Sequence, residues 1–252
     1  MKSLYFHIPF CVHKCFYCDF YSITESGYHS EFTEALCNEI NLRFSGLPDS
    51  TIAETIYFGG GTPSLLGTSF YENIFNSIRS KYQIINETEV TIECNPGTID
   101  PEKLKALRES GFNRISLGIQ SFNDDELHFL QRIHNSEEAK KSFSVARNAG
   151  FDNISIDLMF SLPGQTEDSL KYTIDEALML EPDNISFYSL IYEEGTPLYD
   201  NWKADRINKL ADDTDASFYK LIINRLSMAG YNQYEISNFS KKGKESKHNL
   251  VY

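Results

Sequence analysis

Long apolar runs are missing from this 252-residue sequence. No stretch approaches the roughly 20 residues that span a bilayer, which excludes an apolar membrane-spanning helix. The opening residues, Met1 to Phe10, carry one Lys but no sustained apolar segment and no small-residue cleavage site, so no signal peptide is expected. Basic charge is also short: 23 Lys and Arg stand against 36 Asp and Glu, a formal net charge of -13. That balance speaks against nonspecific nucleic-acid binding, which needs a basic surface to displace counterions from phosphates. Short solenoid repeats are absent. Cysteine is scarce, with five in all, and three of them crowd into one octapeptide. An odd, clustered set fits a reducing cytosol and a metal site better than a disulfide framework. A cytoplasmic protein is therefore expected, with peripheral membrane contact left open.

What is present suits one large α/β domain, since 41% of the residues are hydrophobic and the length supports a substantial core. Six short segments rich in β-branched and aromatic residues read as strands: Leu4–Ile8, Thr55–Phe58, Glu89–Glu93, Arg114–Ile119, Asn153–Phe160 and Asn184–Leu190. Several are nearly continuous apolar runs, as expected for parallel strands covered on both faces. Helical stretches alternate with them at Tyr28–Phe44, Ser69–Tyr82, Pro101–Ser110, Ser136–Ala149, Thr166–Leu180 and Lys209–Ala229. Asp100 before Pro101 reads as an N-cap, and Gly111 and Gly150 as stops. Six βα units with right-handed crossovers predict a partial, open (β/α)6 barrel, with parallel strands inside and helices outside. In such folds the chemistry sits on loops at the C-terminal ends of the strands.

The loop after the first strand carries Cys11, Cys15 and Cys18 at Cys-x3-Cys-x2-Cys spacing. Three thiolates so placed can ligate three irons of a 4Fe-4S cubane and leave the fourth iron open to an outside chelator. A methionine amine and carboxylate fit that opening, and a reduced cluster could then cleave a sulfonium C–S bond to give a 5′-deoxyadenosyl radical. Free thiols and zinc are the plainer alternatives. Zinc would recruit a fourth ligand such as His7, His13 or Asp19. The isolated Cys37 and Cys94 read as packed thiols.

This spacing, with Tyr17 as the aromatic before the last cysteine, resembles the radical SAM superfamily. The longer run Tyr5-Phe6-His7-Ile8-Pro9-Phe10-Cys11 is similar to the oxygen-independent coproporphyrinogen III oxidase-like group. The resemblance implies a 4Fe-4S cluster on Cys11, Cys15 and Cys18 and a bound S-adenosylmethionine (SAM), with Tyr5 and Tyr17 in the SAM set.

Most of the other strand ends carry polar or glycine-rich residues. Gly59-Gly60-Gly61-Thr62-Pro63 lets backbone approach a ligand, and it lacks both the Gly-Lys-Ser/Thr of a phosphate loop and GxGxxG spacing. Glu93 closes an apolar strand, Gln120 offers both donor and acceptor, Arg132 can pair with a carboxylate, and Asp157 sits inside an apolar strand and needs a partner. Each could be an ordinary turn or surface residue taken alone. The resemblance implies SAM contacts for Gly60, Gly61, Thr62, Glu93, Gln120, Arg132 and Asp157, with Ile191 touching the nucleoside; a core position is the other reading of Ile191. His134 has no role in this scheme, and no catalytic residue is named.

Asp19 and Phe20 follow Cys18 where the dehydrogenase pattern has a further Cys, and no long segment precedes the first strand. Both features resemble the haem-chaperone (HemW-like) branch instead. Lys247-His248-Asn249-Leu250-Val251-Tyr252 looks like the start of that branch's His-Asn-x-x-Tyr-Trp motif, which would make His248 a haem ligand; a histidine so near a terminus is otherwise simply solvated. Residues 1–230 are expected to form the partial barrel and 231–252 to open a C-terminal region continuing beyond this sequence. The reading is thus a SAM- and cluster-binding haem chaperone with haem as cargo, haem-receiving proteins and an electron donor as partners, and no nucleic acid. The alternatives are a coproporphyrinogen III dehydrogenase acting on a porphyrin ligand and a non-catalytic zinc or thiol module.

Overall fold

The computed structural model describes residues 3–46, 48 and 51–251. Met1, where the expected barrel domain begins, and Tyr252 of the tail motif lie outside them. Six parallel strands follow one another in chain order: β1 (Ser3–Ile8), β2 (Thr55–Gly60), β3 (Glu89–Cys94), β4 (Arg114–Gln120), β5 (Ile154–Phe160) and β6 (Asn184–Ser189). Each of the five connections passes through helix: α1 (His29–Arg43), α2 (Thr68–Arg79), α3 (Pro101–Ser110), the pair α4 (Asp124–Phe129) and α5 (Ser136–Asn148), and α6 (Glu167–Met179). The result is the open, parallel α/β architecture expected from the alternation. After β6 come α7 (Pro197–Lys203) and α8 (Asp212–Met228), then β7 (Asn232–Gln233) and β8 (Asn238–Ser240), which pair antiparallel with β8 beside β6. Residues 232–240 therefore extend the same sheet, and no break in it marks the expected boundary at 230.

Helix signals held where capping chemistry is local. Asp100 accepts from the Lys103 amide at 2.7 Å, and Gly111 takes φ +117° to end α3. The cap of α5 is Asn135, one residue before the expected start, in a capping box with Glu138. The short α4 and α7 were not anticipated, because six or seven residues show too little periodicity to register.

The strands differ from the expectation of two apolar faces. Leu4, Phe6, Ile8, Ile56, Phe58, Ile92, Ile115, Leu117, Ile156 and Leu158 join the main core. The alternate positions Thr55, Tyr57, Glu89, Thr91, Glu93, Arg114, Ser116, Ser155, Asp157, Asn184 and Ser186 do not. The helices cover only the first set, so the concave face is polar and its side chains must satisfy one another. They do so across strands: Tyr57 donates to Glu93 at 2.8 Å, Ser116 to Asp157 at 3.0 Å and Ser186 to Asn238 at 2.8 Å. The apolar side is anchored by Phe58, whose ring meets Tyr71, Phe75 and Phe112 edge-on at centroid distances of 5.3, 5.8 and 5.4 Å. Such pairs contribute about 0.5–1.5 kcal/mol each beyond area burial.

The tail folds back under the concave face. Lys244 places its carbonyl on the Asn184 amide of β6, and two residues later Ser246 reaches Glu89 of β3. Glu89 accepts from Ser246 Oγ at 3.2 Å, the Lys247 amide at 3.0 Å and the His248 amide at 3.1 Å. His248 is not solvated: at 4% exposure it pairs with Thr55 through Nδ1 at 2.7 Å and stacks on Tyr57 at 4.9 Å. Burial lowers its pKa, so the imidazole favours its neutral form. The tail thus closes the N-terminal end of the sheet. Replacing Glu89 by Ala strands three donors, and a loss of about 2–4 kcal/mol is expected. Thermal melting should show the drop, and tryptic cleavage after Lys247 should accelerate; an unchanged rate would refute the docking of the tail on Glu89.

Candidate functional site

The cysteine loop leaves β1 and is held at both ends by backbone. Cys11 donates its amide to Ile23 at 2.9 Å, Ile23 donates to Pro9 at 2.7 Å, and Leu198 donates to the Phe16 carbonyl at 3.0 Å. Phe16 belongs to a second apolar cluster with Leu130 at the end of α4, Leu162 after β5, Leu190 after β6 and Leu198 of α7. A residue between two of the cysteines thus anchors the loop in that cluster. All three thiols are half-buried and free of disulfides, whereas Cys94 lies in the core. Burial pushes the Cys94 thiol up to about 12, as befits a packed, unreactive sulfur.

β2 runs two residues further than expected, through Gly59 and Gly60, and pairing with the β1 side continues past both strands. Gly61 donates to Ile8 at 2.8 Å and Thr62 to Phe10 at 2.7 Å. A Cβ on Gly61 would stand 2.7 Å from the Phe10 carbonyl and 3.0 Å from Cys11 Sγ. Gly60, at φ +114°, lies against the His7 ring. The glycines are therefore required by the close approach of the cysteine loop as well as by any ligand.

Two donors point at the sulfurs. Thr62 Oγ1 donates to Cys11 Sγ at 3.6 Å, and Arg132 Nη1 donates to Cys15 Sγ at 3.5 Å. Arg132 reaches them because α4 and the left-handed turn at Gln131 (φ +54°) return the chain to the end of β4. Its Nη2 donates to Asn95 Oδ1 at 2.6 Å and to the Gly118 carbonyl at 2.8 Å. Asn95 was not among the expected site residues, although it directly follows β3, two residues after Glu93. Gln120 also takes a left-handed φ, +74°, at a shift in the β4–β5 register. His134 donates Nε2 to the carbonyl just before it, that of Ile119, at 3.0 Å. Burial, with Arg132 nearby, lowers His134 to about 4, so it is a neutral, structural donor. Tyr17 is partly buried beside Arg132, and burial raises its phenol well above the usual range.

Glu93 receives Tyr57 Oη and the Gly60 amide, the latter at 3.1 Å. Burial raises its pKa to about 7; the Tyr57 bond opposes the rise and Asp157 adds to it. Asp157 is raised for the same first reason, burial. Tyr5 lies lower on the concave face, stacked at 5.8 Å on the Tyr57 ring that donates to Glu93. Ile191 is 64% exposed, which removes the core reading and leaves an apolar side chain beyond β6. Cys11, Cys15, Gly60, Gly61, Thr62, Glu93 and Arg132 are thus joined by contacts on one edge of the sheet, while His248 lies on Thr55 at its opposite end.

This donor set fits a cluster. Thiolates that bind iron are stabilised by N–H and O–H donors to sulfur, and Thr62 and Arg132 supply them in place.

The family description "Radical SAM superfamily" matches residues 5–177. The heme chaperone HemW of Bacillus subtilis is 41% identical over all of this chain and 67% of the relative's length. HemW of Lactococcus lactis is 38% identical over all of this chain and 65% of its own. The chain spans about two thirds of these relatives. Among solved structures, the coproporphyrinogen III oxidase HemN of Escherichia coli, described as a radical SAM enzyme, superposes with a TM-score of 0.85. It is 27% identical and covers 96% of this chain and 56% of its own. Fold, cysteine loop and relatives converge: the chain belongs to the radical SAM superfamily, in its HemW-like branch.

Proposed function

We propose that this chain is the SAM- and cluster-binding part of a haem chaperone, with Cys11, Cys15 and Cys18 as the protein ligands of a 4Fe-4S cluster. The observation that carries the reading is the pair of donors aimed at Cys11 and Cys15 from Thr62 and Arg132, on the edge where Glu93 meets Gly60. When bound, the cluster would supply a single electron to the SAM sulfonium. The residues here do the rest. Gly60 and Gly61 would admit the methionine moiety close to backbone, and Glu93 would accept from its amine. Arg132, which already donates to Cys15, would pair with its carboxylate, and Gln120 and Asp157 would add polar contacts. Tyr17 and Ile191 would supply the apolar contacts. Val12, Phe20 and Tyr21 are exposed beside the thiols, where an electron donor would have to approach.

The haem-delivery assignment follows the names of the curated relatives and Asp19-Phe20 after Cys18. The second reading, porphyrinogen oxidation, is favoured by the likeness to HemN. Haem would be cargo, with haem-receiving proteins as partners. Ligation by His248 requires the tail to leave Thr55 and Glu89. No helix of the described residues is long and apolar enough to cross a membrane; a cytoplasmic setting rests on the cysteine chemistry.

Anaerobic reconstitution followed by haem titration and a 5′-deoxyadenosine assay separates the two readings. Saturable haem binding is expected; protoporphyrinogen formed from coproporphyrinogen with dithionite and SAM would favour the second. Changing Cys11, Cys15 or Cys18 to Ala should abolish the cluster spectrum, and Cys37→Ala and Cys94→Ala should keep it. A spectrum that survives Cys15→Ala would sink the ligand assignment.

Glu93 yields a trade-off. Its raised pKa means the folded chain holds a proton that the unfolded chain releases. Its charge carries no stability penalty below about pH 4.5, and the penalty grows until it is complete above about 7. Glu93→Gln should therefore stabilise the cluster-free chain at pH 8 by on the order of 1–2 kcal/mol and leave it unchanged near pH 4. The same change should weaken SAM binding roughly tenfold by removing a charged acceptor. Melting curves at the two pH values and a SAM titration check both signs.

A further inference from the structure

We propose that Asn95 is a positioning residue for the cluster site: it connects the donor to Cys15 with the donor to Cys11 and sets the direction of both hydrogen bonds. The inference rests on the cluster and SAM reading above and assigns a residue that reading does not use.

The polarity of the chain is forced. Arg132 has only donors, so the Asn95 atom 2.6 Å from Nη2 must be the amide oxygen. The amide nitrogen is then the atom facing Thr62, and it donates to Oγ1 at 3.0 Å. With an N–H arriving on its oxygen, the Thr62 hydroxyl is directed outward, and it donates to Cys11 Sγ at 3.6 Å. Arg132 meanwhile donates directly to Cys15 Sγ at 3.5 Å. One guanidinium therefore acts on both sulfurs, on Cys15 by contact and on Cys11 through Asn95 and Thr62. Hydrogen bonds in such a series polarise one another.

The amide is held for this task. The backbone from which it springs is fixed, because the Asn95 main-chain carbonyl accepts from Thr98 twice, from its amide at 3.1 Å and from Oγ1 at 2.7 Å, and Thr98 pairs with Ser64 at 2.7 Å. On the other side Gly118 leaves no side chain in the way, since a Cβ there would stand 2.7 Å from Asn95 Oδ1. Position 118 must stay glycine for Asn95 and Arg132 to meet. Donors to cluster sulfurs favour the more negative, reduced state and so raise the reduction potential. Without Asn95, the Thr62 hydroxyl is free to turn from Cys11, and Nη2 of Arg132 loses a partner that fixes its plane.

The test compares full-length wild type, Asn95→Ala, Thr62→Val and the double variant, all reconstituted anaerobically. Asn95→Ala should keep its iron and sulfide but show a more negative cluster potential in a titration followed by electron paramagnetic resonance. Its SAM affinity, read from the SAM-induced change in that signal, should fall roughly tenfold. Thr62→Val should move the potential the same way, and the double variant should add little, because both lie on one relay. A wild-type potential and SAM affinity in Asn95→Ala, or shifts that add in full, would overturn the proposal. If Asn95→Ala does not fold, Asn95→Ser, too short to bridge Arg132 and Thr62, carries the same expectations. A wild-type chain that takes up no cluster would overturn the underlying reading as well, and is told apart by its iron content alone.

Discussion

Everything at the candidate site depends on the pairing of β1 with β2 continuing past the ends of both strands. The amides of Gly61 and Thr62 reach the carbonyls of Ile8 and Phe10, so the cysteine loop leaves the sheet already fastened to the second strand. Backbone this close tolerates no Cβ at position 61. It also puts Thr62 beside Cys11 and, through Gly60, brings Glu93 of the third strand to the same edge. A loop held only by its own turns would place three thiols without giving their sulfurs donors.

The second constraint is the two-sided character of the sheet. Its convex face is hydrocarbon packed under helices, which provides most of the burial energy. Its concave face holds Glu93, Asp157, Glu89 and Arg114 along with serines, threonines and tyrosines. Buried acids are costly unless paired or protonated, and two solutions are visible. At the N-terminal end Glu89 is satisfied by the folded-back tail. Nearer the other end, Glu93 is held by Tyr57 and Gly60 and Asp157 by Ser116, and burial raises the pKa of both.

Much of the fold was legible along the chain. Among the described residues, the six parallel strands and six of the eight α-helices stand where apolar segments, caps and stop glycines place them, because those signals are local. The reading of the strands as apolar on both faces failed at residues such as Thr91, Ser116 and Ser155. These small polar side chains blend into β-branched runs, and only the curl of the sheet shows that they line an interior. Arg132 was singled out from the sequence, but Asn95 was not: an Asn before Pro is an ordinary turn residue until its two amide atoms are seen to face Arg132 and Thr62. His248 was legible as a motif residue, yet its burial depends on Glu89 and Thr55, more than 150 positions away in the chain.

The sequence by itself determined the cysteine triplet, the alternation of strand and helix, and the glycine run, since each needs only residue type and spacing. Only the tertiary structure decided which donors reach the sulfurs, which acids carry a raised pKa and where the tail docks. Those properties arise from contacts between residues far apart in the chain. Parallel pairing and the α4 turn bring them within hydrogen-bond reach, and no local pattern encodes that distance.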